Sequence, residues 1–314
     1  MLSVSKNGYD NEYGARYSVH HGLEDLALLK RLEKFITVIG GEHVGELYWL
    51  LVSLPASIEV GEMLFYEVMY ELFNYGDVEN NVKKHFGFYK SIFRLEDSFN
   101  VVVGTIDEYL YSRFYHLKEM IVDICKVMIN NYDVYLNRVW EKSYLELMSY
   151  AERLQEVLDN GAVAEKLQNL IGVVPETNFY VSLCNSLQGG AEAIDISFNT
   201  HVFGTKSHSG AEREMERMKN FIIHEYIIFL LKKALVNTPA FTDHKYWHYF
   251  EALAAFYASK IIEGRGLYDD DARVLEIVDF YKNTHMREHG LSAVEMFSRA
   301  MELISNQDSL TFYI

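Results

Sequence analysis

The residues best suited to chemistry lie in the stretch Phe221-Ile-Ile-His-Glu-Tyr-Ile-Ile-Phe-Leu-Leu231. It is apolar on every side except at His224 and Glu225. A helix that is apolar all round is a buried helix. An imidazole and a carboxylate inside one are costly unless they are paired or hold a metal. The plainer reading is a hydrogen-bonded core histidine with a Glu paired to a Lys or Arg. The sharper one is a metal ligand followed by a general base.

Other groups could complete such a site. Downstream, Trp247-His-Tyr-Phe-Glu-Ala-Leu-Ala-Ala-Phe-Tyr257 carries His248 and Glu251, three apart, with His244 four before His248. At helical spacing these three share one face. His and carboxylate both suit zinc, so His224, His248 and Glu251 make a chemically sensible ligand set. The plainer reading of His244 and His248 is a partly exposed helix surface. His285 and His289 form another pair four apart, near a helix end. They read as a solvated terminus or, in an enzyme, as transition-state donors. Tyr226 and Tyr257 are oxyanion candidates among 23 tyrosines.

The elements that must position these groups follow from periodicity. Helical spacing covers 23–39, ended by Gly40-Gly41, and continues through 43–54, 60–75, 105–130 and 132–159. Asp133 or Asn137 opens the last of these, and Asn160-Gly161 closes it. The pattern changes near Gly172. Residues 178–184 and 193–198 alternate in polarity and read as two short strands, potentially a hairpin, with Gly189-Gly190 as a turn. Four helices then follow over about 211–236, 243–262, 269–283 and 291–305. The expected fold is α+β and predominantly helical, with a helical region over 1–170 and a second region over 171–314 that holds the small sheet and the His224 helix.

The His224 segment resembles the active-site helix of the zincin metallopeptidases, whose motif is H-E-x-x-H. His224 matches the first zinc ligand and Glu225 the base, whereas Ile228 stands where the second His belongs. Glu251, in its Glu-Ala-Leu-Ala context 27 residues beyond His224, resembles the third ligand of the gluzincin branch. The order of strands, Gly-Gly turn, motif helix and Glu helix is similar to gluzincin-like domains of the peptidase-MA type over roughly 170–305. The resemblance implies a zincin-like C-terminal half, zinc as cofactor, and a peptide or protein as substrate or ligand. Glu225 would take a proton from metal-bound water, and an edge strand would hold the peptide. With Ile228 unable to bind metal, it equally implies an inactive pseudopeptidase that binds without cutting. A helical binding module unrelated to zincins is the third reading.

Composition narrows the remaining classes. The formal net charge of −16 disfavours a nucleic-acid partner, because phosphate binding needs a basic face. The 49% hydrophobic content is enough to build a core, which excludes disorder for most of the length. Two cysteines cannot supply a structural zinc quartet or a disulfide framework. No apolar run reaches 18 residues, and the first residues lack an apolar signal core, so no membrane segment is expected and the cytoplasm is the default location.

Overall fold

The computed structural model describes residues 16, 19–37, 65–75, 118–184, 191–193, 200–205, 212–235, 238, 246–262 and 272–311. These residues are predominantly helical with a small sheet. In chain order they form α1 (Leu23–Thr37), α2 (Phe65–Tyr75), α3 (Lys118–Tyr135), a π-helical turn (Leu136–Trp140), α4 (Glu141–Asn160) and α5 (Val163–Ile171). Strands β1 (Tyr180–Cys184), β2 (Ala191–Ala193) and β3 (Thr200–Gly204) follow. Helices α6 (Glu212–Leu235), α7 (Trp247–Ala258), α8 (Ala272–Arg287) and α9 (Ala293–Thr311) complete the described chain. None of the described helices is long and apolar enough to cross a membrane.

The chain divides into two compact units, and the division falls inside α4. The first comprises Met1–Ala151 and Tyr180–Ser209; the second comprises Glu152–Phe179 and Gly210–Ile314. The boundary expected at 170/171 falls inside the second unit's leading segment. In the first unit, α2 packs on α3, and Met69, Phe73, Ile121, Ile124, Cys125 and Val127 are buried. Asn131 Nδ2 donates to Asp25 Oδ2 at 2.7 Å and links α3 to α1. The sheet of this unit has the order β1–β3–β2. β1 runs parallel to β3, with Tyr180 opposite Thr200, and β2 runs antiparallel to β3, with Ala193 opposite His201.

Several expectations are corrected here. β1 and β2 do not form a hairpin, since β3 lies between them. β3 falls where no strand was expected, and residues 194–198 of the expected second strand lie outside the described residues, as do 43–54 and 105–117. The helical patterns over 105–130 and 132–159 are not separate helices. The chain stays helical from Lys118 to Asn160 through the π turn. Asn137, expected as a cap, instead donates its side-chain amide to the Asp133 carbonyl at 2.7 Å, and Ser143 Oγ donates to the Val139 carbonyl at 2.7 Å. Such back-bonding satisfies carbonyls that the wider π turn leaves less well paired. The helix does end at Asn160, and α5 follows almost at once. Gly172 ends α5 with φ +78° and returns its N–H to the Gln168 carbonyl, a left-handed cap that glycine adopts without a Cβ clash.

In the second unit, α6 packs against α5, α7 and α9, while α7 also packs against α8. Three neighbours around one helix account for the apolar residues on all sides of 221–231. Ile222, Ile223, Tyr226, Ile227, Ile228, Phe229, Leu230 and Leu231 are all buried. Helix α5 contributes the stripe Val163, Leu167 and Ile171 to the same core, and α9 contributes Ala293, Met296, Phe297 and Ala300. Helix α9 starts at a capping box. Ser292 N and Oγ donate to Glu295 Oε2 at 2.8 and 2.7 Å, and Glu295 N returns a hydrogen bond to Ser292 Oγ.

Candidate metal centre on helices α6 and α7

His224 lies in the middle of α6, among the buried residues of that helix. Its side chain is 4% exposed, and that of Glu251, across on α7, is 13% exposed. The two meet, with His224 Nε2 at 3.0 Å from Glu251 Oε2. With Glu251 ionised, the Nε2–H donates and the carboxylate accepts. The distance is also close to the roughly 3.3 Å that separates two ligands of one tetrahedral zinc with bonds of about 2.0–2.1 Å. A cation would enter by displacing the proton between them.

The remaining candidates lie differently. Ile228, one turn beyond His224, is buried at 3% exposure and carries no donor atom. His248 is exposed on α7. Among the described residues, no three His, Cys, Asp or Glu side chains converge on a common point. The structure therefore brings His224 and Glu251 together and does not bring His248 to them. His244 lies outside the described residues. Glu225 is half-buried beside His224. A full zincin ligand set does not fit these residues, because the third donor is missing at both Ile228 and His248.

The tyrosine and histidine candidates have other attachments. The Tyr226 hydroxyl accepts a hydrogen bond from Gln168 Nε2 of α5 at 2.7 Å. Its ring packs edge-on against Phe179 at 5.3 Å and stacks with Phe229 at 5.9 Å. Burial pushes the Tyr257 hydroxyl up to about 12, so it stays protonated. The Tyr281 hydroxyl donates to the Tyr249 carbonyl at 3.1 Å, which ties α8 to α7. His285 is half-buried with its ring edge-on to Phe256 at 5.5 Å, and His289 is exposed.

One polar group in this region was not anticipated. Asn220 is 6% exposed on α6, and its Oδ1 is sealed from solvent with no hydrogen-bond partner. The available signal was its position four residues before His224, on the same helical face. An Asn at the head of an apolar run reads more naturally as the last solvated position.

The sheet belongs to the first compact unit and the His224 helix to the second. Compared with protein-family models, curated proteins and solved structures, the chain shows no significant match.

Proposed function

We propose that this chain is a zincin-like protein of the gluzincin type whose catalytic metal site has decayed, and that it acts as a pseudopeptidase, binding a peptide or protein without cutting it. One observation carries this reading. The first and third ligand positions, His224 and Glu251, meet at 3.0 Å, while the second is filled by the buried Ile228. Catalytic zinc sites use three protein ligands and keep the fourth position open for water. Two ligands leave the metal weakly held and the water poorly activated. The buried pair then serves chiefly to join α6 to α7.

A second reading is zinc-dependent peptide hydrolysis, with Glu225 as the base. It is favoured by the His224–Glu251 separation, which suits two ligands of one ion.

Elemental analysis of protein purified without added metal separates the two. The pseudopeptidase reading expects far less than one zinc per chain and no cleavage of a denatured protein substrate. One zinc per chain, with cleavage abolished by Glu225→Gln, would establish the enzyme instead. The zincin-like geometry is tested by Ile228→His, which restores the missing ligand. Tight zinc binding by that variant is expected. A folded variant with no gain in zinc affinity would show that the helices are not arranged as in a zincin.

A further inference from the structure

We draw no further inference here: the strongest candidate, the exposed apolar strip of Tyr144, Leu145 and Met148 on α4, carries none because nothing among the described residues shows what covers it.

Discussion

His224 Nε2 and Glu251 Oε2 sit 3.0 Å apart across two packed helices, although 27 residues separate them along the chain. Both are largely withdrawn from water, so neither side chain can easily replace its partner with solvent. A buried pair of this kind adds little compared with a well-packed apolar pair. Removing one member, however, leaves the other desolvated and short of this hydrogen bond. Glu251→Ala should therefore destabilise the fold by about 1–3 kcal/mol. Glu251→Gln keeps an acceptor and should cost less. Urea unfolding followed by circular dichroism reads both. Equal stability of the two variants would mean that the pair is not a structural contact.

Tyr226 is fastened to α5 by the Gln168 hydrogen bond and by its contacts with Phe179 and Phe229. Tyr226→Phe should lose about 0.5–1.5 kcal/mol, the net worth of one hydrogen bond. It should leave zinc binding by the Ile228→His variant unchanged. A loss of that binding would instead place the hydroxyl at the metal centre.

The cap of α9 gives a pH-dependent prediction. The Ser292 backbone amide, and then its hydroxyl, hold the Glu295 carboxyl below the usual glutamate range. A folded-state pKa lowered in this way adds stability that is fully present above the ordinary glutamate value. That stability is lost as the pH falls through the lowered value. Glu295→Ala should thus be less stable than the parent near neutrality, and the difference should shrink in acid. Thermal melts at a series of pH values between about 7 and 3 check the trend across the carboxylate range. A difference that grew toward acid would contradict the capping geometry.

Ala162 occupies a left-handed conformation, φ 47° and ψ 41°, in the turn between α4 and α5. A Cβ is strained there, and glycine is not. Ala162→Gly should raise stability by several tenths to about 1 kcal/mol, since the relieved strain exceeds the extra freedom of the unfolded chain. Comparison of denaturation midpoints is sufficient. A drop in stability would show that the turn relaxes in solution.

Much of the second unit could be read from residue order. The apolar run at 221–231, interrupted only by His224 and Glu225, implied a helix with neighbours on several sides, and α5, α7 and α9 supply them. His224 and Glu251 could be paired in advance because their local sequences resemble two parts of a known motif. Helix α5 is only nine residues long and leaves a weak periodic signal, although Val163, Leu167 and Ile171 mark its buried stripe. The strands were harder. Alternation locates β1, but parallel pairing with β3 depends on contacts far along the chain that no local pattern records. Asp133 and Asn137 have the chemistry of caps, and nothing local distinguishes a cap from a side chain that bonds back within a continuous helix. His248 is exposed, as the plainer reading of its helix has it; three-residue spacing from Glu251 places two side chains on one face without saying how far that face turns inward.

The second unit is interrupted in sequence, since Glu152–Phe179 belongs with Gly210–Ile314 while Tyr180–Ser209 belongs elsewhere. This sets an order of events during synthesis on the ribosome. The apolar stripe of α5 emerges well before α6, α7 and α9 exist to cover it. At about 5–20 residues per second, it waits on the order of 10 s for the last of them. Throughout that interval the nascent chain exposes a surface meant for its own later helices, and a chaperone that shields apolar segments would act on Val163, Leu167 and Ile171 at this stage.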